Sequence, residues 1–227
     1  MEDGEAVPAS RPATQIARRR RLVRRWAQLV VGLVVIGTGI CASVQARLGL
    51  APWDVLHQGI SRRTGVPLGT VGIVVGALLM VTWWPLRRRP GAGTVANVVV
   101  IGVTIDLLLP QTDPAHNLAL RIALMALGVV LFAVGSGMYL GVEMGAGPRD
   151  GVMTGLHDRV GWSIRWARTV VEVTVLVIGI ALGGTAGIGT LVFACGIGPL
   201  VQVTLRWFGF ETRRIAELDD PLGLSGE

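Results

Sequence analysis

The sequence predicts an all-α membrane protein with six transmembrane helices, built as two inverted three-helix repeats that each carry a short interfacial or re-entrant helix. Three observations support this fold class. Apolar residues make up 51% of the 227 residues, and the charges cluster between long uncharged runs. Several of these runs reach the roughly 20 apolar residues that a spanning helix needs. The chain also matches itself at a fixed offset, which predicts a duplication.

Six segments of the chain are predicted to cross the bilayer. Four are strongly apolar, at 27–46, 68–86, 118–140 and 166–182, and two are moderately polar, at 94–110 and 187–207. The predicted organisation is a disordered cytoplasmic tail (1–24), a first membrane repeat (25–109), an external linker (110–120), a second repeat (121–207) and a cytoplasmic tail (208–227). No stretch is left for a separate soluble domain.

The arginines predict the orientation of these helices. All 21 basic residues are arginines, and they lie at the ends of the apolar runs. With the N-terminus inside, 17 of them fall on the cytoplasmic side, and only Arg47, Arg62, Arg63 and Arg121 fall outside. Basic residues concentrate on the cytoplasmic side of membrane proteins. We therefore expect both termini in the cytoplasm, and we attribute the net charge of +6 to this bias and not to nucleic-acid binding.

The seven tryptophans lie at or just beyond the predicted helix ends. Indole rings favour the level of the lipid headgroups, where one edge is apolar and the other is hydrated. We therefore expect all seven tryptophans to mark the two membrane interfaces.

An offset of 96 residues aligns 25–109 with 121–205 without a gap, and 21 of these 85 positions are identical. The strongest stretch pairs Gly49, Pro52 and Asp54 with Gly145, Pro148 and Asp150. Each repeat holds three predicted spans, an odd number, so the second repeat must enter the bilayer from the opposite side. Inverted repeats of this kind recur among secondary transporters, whose sites lie between the repeats.

Two predicted helices, 52–63 and 148–159, are too short and polar to span. Each begins with a proline followed two residues later by an aspartate: Pro52 with Asp54, and Pro148 with Asp150. Proline suits the first helical turn, and an acid there faces the positive end of the helix dipole. Re-entrant backbone requires protein or a water-filled cavity around it. The two helices are therefore expected to line a pathway, one near each membrane face, or else the aspartates only cap helix starts.

Asp106 is the one acid within the predicted span 94–110. Carboxylates inside a membrane are functional candidates. Its repeat mate is Gln202, and Asn97 adds a polar position on the same helix. We predict that Asp106, Asn97 and Gln202 join the two Pro-x-Asp aspartates in a substrate or ion pathway. The alternative is that Asp106 lies close enough to Pro110 to reach water at the outer headgroups.

Small and hydroxyl residues open the third span of each repeat. These are Gly93 and Thr94 in the first repeat and Gly189 and Thr190 in the second. At such positions they permit close helix packing. The partial Gly91-x-Gly93 pattern lacks the strand–turn–helix unit of a dinucleotide site. The sequence shows no metal-ligand spacing and no catalytic arrangement, so we expect a protein that is not an enzyme and has no cofactor.

Three strings of the first half resemble the YczE-like family of bacterial integral membrane proteins, which is related to the YitT group. The strings are Gly49-Leu50-Ala51-Pro52-Trp53-Asp54-Val55-Leu56-His57, Gly93-Thr94-Val95-Ala96-Asn97 and Ile101-Gly102-Val103-Thr104-Ile105-Asp106. Gly147-Pro148-Arg149-Asp150-Gly151-Val152-Met153 is similar to the second-half signature of that family. The resemblance covers about Trp26 to Trp207 and implies a multi-spanning protein of the bacterial cytoplasmic membrane.

The sequence favours a small secondary transporter or exporter that moves a small molecule or an ion across the bilayer. The inverted repeat, the paired Pro-x-Asp helices and Asp106 motivate this hypothesis. The alternative is a non-transporting scaffold or regulatory protein that acts through a membrane partner or a homo-oligomer.

The predicted orientation has a direct test. In a background without native cysteines, a cysteine placed at Thr112 should react with a membrane-impermeant maleimide added outside intact cells. A cysteine placed at Arg88 should be spared, because the arginine bias places it in the cytoplasm. The reverse labelling pattern would overturn the orientation.

Overall fold

The structure, a computed structural model, describes residues 11–86 and 89–208. These residues form eight α-helices and one short 3-10 turn (Leu109–Gln111), with no strand among them. The helices are α1 (Arg11–Ala46), α2 (Pro52–Thr64), α3 (Leu68–Thr82), α4 (Ala92–Leu108), α5 (Leu118–Leu140), α6 (Pro148–Val160), α7 (Ile164–Ala181) and α8 (Ile188–Trp207). Each half therefore has a long helix, a 13-residue helix and two further helices, in the same order.

Four helices in the described ranges are long and apolar enough to cross a membrane: α1 from Leu22, α4 with its 3-10 extension, α5 and α8. The pair α2 and α3, bent by 115°, adds a fifth span if it crosses as one unit. α3 has only 15 residues, and α7 carries three charged residues. The chain is an all-α, multi-pass membrane protein, and the full count of six spans stays a prediction.

One predicted boundary is wrong, and the predicted span 118–140 has the same bounds as α5. α1 begins at Arg11, so residues 11–24 are helical and do not form a disordered tail. Arginine and alanine have high helix propensity, and the segment continues the spanning helix without a break. α5 begins at Leu118, where the side chain of Asn117 accepts a hydrogen bond from the Leu120 amide (2.7 Å). The predicted linker 110–120 is correspondingly shorter. The remaining tail segments, 1–10 and 209–227, lie outside the described residues.

The long helices of the two halves, α1 and α5, cross in close contact through glycines. A β-carbon on Gly135 would lie 2.5 Å from the carbonyl oxygen of Gly32, and one on Gly39 would lie 2.8 Å from that of Gly128. Gly32 is the repeat mate of Gly128, and Gly39 is the mate of Gly135. The two contacts are therefore reciprocal, as at an isologous interface. Glycine at this spacing lets membrane helices approach to backbone contact.

The loops that follow α1 and α5 also pair reciprocally with the opposite half. The Gly93 amide donates to the Met144 carbonyl (2.9 Å), and the Gly189 amide donates to the Leu48 carbonyl (2.8 Å). Each hydrogen bond is the repeat equivalent of the other, because Gly189 is the mate of Gly93 and Leu48 is the mate of Met144. Thr94 and Thr190 accept hydrogen bonds from the glycine amides that precede their helices, at 3.2 and 3.1 Å. The small and hydroxyl residues thus tie the start of α4 and α8 to the other half of the protein.

The helices α3 and α7 occupy equivalent places but pack differently. α3 lies against α4, where a β-carbon on Gly76 would come within 2.8 Å of Val98. α7 packs along α2, and in the described residues it makes at most marginal contact with α8. Gly69 and Gly76, which face α4, have the charged mates Arg165 and Glu172 on α7, and Gly72, which faces His57 of α2, has the mate Arg168. Large charged groups cannot pack against a neighbouring backbone as glycine does, so a gap remains between α7 and α8.

The prediction that every tryptophan marks a membrane interface is wrong for Trp53 and Trp83. They are only 5% and 3% exposed. The Trp83 indole donates to the Pro148 carbonyl (3.0 Å), and Trp53 stacks against Arg149. Both indoles reach inward because α2 and the end of α3 pack on the second half.

The close α1–α5 crossing predicts that alanine lowers stability at Gly135 but not at Gly196, a glycine of α8 outside the crossing. Gly135→Ala should lower stability by about 1–3 kcal/mol, because its β-carbon would meet the Gly32 carbonyl. Gly196→Ala is the matched control, since no atom lies within 4 Å of the added carbon, and it should be neutral or slightly stabilising. Thermal unfolding of both variants in detergent measures the difference. Equal melting of Gly135→Ala and wild type would contradict the close crossing.

Candidate functional site

A cavity of about 570 Å³ lies between the two halves, and all eight helices contribute to its wall. Apolar side chains such as Ile36, Ile40 and Phe132 form part of the wall. The polar part contains the first turns of α2 and α6, with additional polar groups from α4, α7 and α8. A largely apolar pocket with a few convergent polar groups is the usual form of a small-molecule site.

The first turns of α2 and α6 meet in this cavity. An Nη atom of Arg149 lies 3.8 Å from Oδ1 of Asp54, and its guanidinium lies 4.9 Å from the centre of the Trp53 ring. Trp53 and Arg149 are repeat mates. Residues that touch their own mates lie on the axis that relates two halves. The two helices therefore begin at a common point, where Asp54 and Asp150 line one cavity, and their placement near opposite membrane faces stays a prediction.

Local sequence explains why both helices begin and end where they do. Pro52 and Pro148 are the first helical residues, and glycines in left-handed conformation, Gly65 and Gly161, end the helices. Just upstream, Gly49 (φ 110°) and Gly145 (φ 137°) also take positive φ angles. Glycine allows this at little steric cost, so the chain can turn sharply after α1 and α5. The short helices then start inside the protein.

Asp54 is buried, with 4% of its surface exposed. Its Oδ1 lies 3.7 Å from His57 Nδ1 on the same helix and 3.8 Å from Arg149 on α6. A charge removed from water needs an opposite charge or hydrogen-bond donors nearby. Arg149 and the positive end of the α2 dipole supply that compensation.

Three further charged side chains line the cavity. Arg168 donates through Nε to Glu172 Oε1 (2.9 Å), so these two neutralise each other. Asp150 is exposed and lines the cavity. The cavity thus holds Arg149 and Arg168 against Asp54, Asp150 and Glu172. With His57 neutral, these groups carry a formal charge of −1.

Four of the five predicted pathway residues line this cavity, namely Asp54, Asp150, Asn97 and Gln202. Asp106 is not among the lining residues. Its carboxylate accepts hydrogen bonds from the Gly69 amide and the Thr70 hydroxyl, both at 2.6 Å. These groups belong to the first turn of α3, so Asp106 caps α3 from the neighbouring helix. An ion-carrying role for Asp106 stays a prediction.

Sequence reasoning did not single out Trp53, His57 and Arg149 as site residues. His57 has no histidine mate, and in the described ranges no group of three His, Cys, Asp or Glu residues is arranged to hold a metal. Trp53 and Arg149 differ in type, so identity between the repeats does not mark them. The sequence did offer one signal: Trp53 and Arg149 occupy equivalent positions in the two repeats, and each immediately precedes the aspartate of a helix start.

Comparison with known proteins identifies relatives of the chain. The sequence model of the family of unknown function DUF6198 matches residues 23–206. An uncharacterized protein of Haemophilus influenzae is 38% identical over 178 residues, covering 78% of this chain and 82% of that protein. The uncharacterized membrane protein YczE of Bacillus subtilis is 33% identical over 192 residues, covering 82% and 88%. No solved structure matches. The predicted resemblance to YczE-like membrane proteins is confirmed.

Capping by Asp106 predicts a stability effect that depends on the replacement. Asp106→Ala removes both acceptors and should cost about 1–2 kcal/mol. Asp106→Asn keeps one carbonyl oxygen and should lose less than half of that. Thermal unfolding in detergent measures both. If Asp106→Ala unfolds like wild type, the cap does not stabilise α3, and the role of Asp106 lies elsewhere.

Proposed function

We propose that this chain, which belongs to the DUF6198 family, is a small secondary transporter or exporter of the bacterial cytoplasmic membrane. In this proposal a small solute binds in the central cavity, and access to the cavity alternates between the two membrane faces. The main support for this proposal is that the first turns of the short helices α2 and α6 meet in a cavity of about 570 Å³. Sites of this construction occur in secondary transporters with inverted repeats.

The proposed architecture is six spans in two inverted repeats. Support comes from the shared element order and from contacts that exchange under the 96-residue offset. In this architecture α3 and α7 complete the three spans of each repeat. The charged residues of α7 are tolerated because Arg168 and Glu172 line the cavity and pair with each other. Both termini lie in the cytoplasm, as the arginine distribution favours.

The unequal packing of α3 and α7 supports alternating access. α3 lies tightly against α4, whereas α7 stands apart from α8. Two halves with one architecture but different packing correspond to the asymmetric states that such transporters exchange. In the opposite state, α3 would separate from α4, whereas the charged side chains of α7 would keep that helix from packing on α8 as closely as glycines allow.

The native Cys195 tests this proposal because it lines the cavity. In a Cys41→Ser background, a charged methanethiosulfonate reagent should modify Cys195 when added to intact cells and also when added to inverted vesicles. Alternating access requires both results, since a charged reagent reaches Cys195 only through water. The Cys195→Ala variant is the control for background labelling.

Modification from one side only, or from neither side, would contradict transport. It would favour the alternative, a scaffold or regulatory protein that acts through a partner. Cysteines placed at Thr112 and Arg88 report in the same experiment whether the reagent reached each face.

A further inference from the structure

The polar end of the cavity contains hydrogen-bond donors that lack acceptors. We infer that the cavity binds an organic anion, with a carboxylate or a group of similar charge held between the first turns of α2 and α6, beside Trp53 and Arg149. This inference deepens the proposed function by naming a substrate class. The binding step itself can be tested without any transport.

The indole of Trp53 is the first observation behind this inference. Trp53 lines the cavity and is only 5% exposed. Its Nε1 is buried and has no hydrogen-bond partner among the described residues. A buried donor without an acceptor is costly, and such donors usually have a partner in the working protein. The atom is closed off from the open space of the cavity by its neighbours, so a ligand acceptor reaches it only when a wall side chain shifts on binding.

Arg149 is the second observation. Its guanidinium carries five N–H donors in a planar fork that suits a carboxylate. In the described chain it stacks on Trp53 and lies 3.8 Å from Asp54, which is beyond hydrogen-bonding distance. About 32% of the side chain remains exposed, and it lines the cavity. The fork pairs in charge with Asp54 but is not hydrogen-bonded to it, so its N–H groups can bind an acceptor while the ring of Trp53 holds its plane.

The helix starts are the third observation. The N-cap residues of α2 and α6, Ala51 and Gly147, have no polar side chain, although the Asp150 carboxylate accepts from the Gly147 amide at the start of α6. The first amide groups of a helix have no partner within the helix, and together with the dipole they favour an anion. Both helices have 13 residues, so each presents a full dipole. The two starts converge with the Trp53 and Arg149 donors at one place.

The acids near the site determine how strong this binding is. Asp54 lies beside Arg149, and Asp150 lines the same cavity. Their charges oppose an incoming anion, so the donors must compensate, and we expect modest affinity. Removing the charge of Asp150 should therefore strengthen binding. A gain in affinity is an effect that misfolding does not imitate.

Benzoate, benzamide and benzylamine form a probe set of similar shape and different charge. The full-length protein, labelled with 5-fluorotryptophan and held in nanodiscs of zwitterionic lipid, reports binding by fluorine NMR. The Trp53 resonance, one of seven, is assigned by its absence in Trp53→Phe. Benzoate should shift this resonance saturably, and it should bind at least about 10-fold more tightly than benzamide or benzylamine, because hydrogen bonds to a charged group are the stronger ones.

Three variants sharpen the test. Arg149→Gln should weaken benzoate binding by at least about 10-fold. Asp150→Asn should strengthen it several-fold. Arg159→Gln, an exposed position at the end of α6, should leave it unchanged. The inference is overturned if benzoate does not shift the Trp53 resonance, if benzamide or benzylamine binds as well as benzoate, or if Arg149→Gln has no effect.

Repeating the titration in nanodiscs with phosphatidylglycerol distinguishes the source of the anion. Competition by this lipid identifies a lipid headgroup, and unchanged benzoate affinity identifies a free solute. The result is also separable from the transport proposal. Benzoate preference combined with one-sided Cys195 labelling would keep the anion site and overturn transport. Two-sided labelling with a preference for benzylamine would overturn only the ligand class.

Discussion

The close crossing of α1 and α5 is the constraint on which the rest of the structure depends. Gly32 meets Gly135 and Gly39 meets Gly128 at backbone distance, so α1 and α5 cannot shift along each other without steric overlap. This crossing sets the register between the halves. It also places the loops after α1 and α5 against the starts of α8 and α4. The short helices that follow those loops then begin inside the protein.

A consequence of this register is that charged groups from both halves come together around one cavity. Asp54, buried at the start of α2, is offset by Arg149 from the other half, and Arg168 pairs with Glu172 on α7. Asp106 is satisfied differently, by the amide and hydroxyl groups that open α3. Each carboxylate has a physical reason to be tolerated, and Asp54, Asp150 and Glu172 line the cavity whereas Asp106 does not. The site is therefore defined by convergence of the two helix starts and not by the number of acids.

The two halves share an architecture and differ in the residues that determine how tightly it packs. Glycines on α3 bring that helix against α4, whereas Arg165 and Glu172 at the equivalent positions keep α7 away from α8. The halves share their element order, and charged residues on one face of α7 stand where α3 has glycines. As a result, α7 contributes the polar side chains Arg168 and Glu172 to the cavity wall, and the two halves differ in how tightly they pack.

The sequence by itself determined the membrane class, the eight helical segments and the equivalence of the halves, because length, apolar composition and turn glycines act locally along the chain. Pro52 and Pro148 marked the starts of α2 and α6 for the same reason. Only the tertiary structure decided that these starts meet, that Trp53 is buried and that Asp106 caps α3. Those facts depend on contacts between residues far apart in the chain, and a helix start has the same local pattern whether it faces a headgroup or another helix.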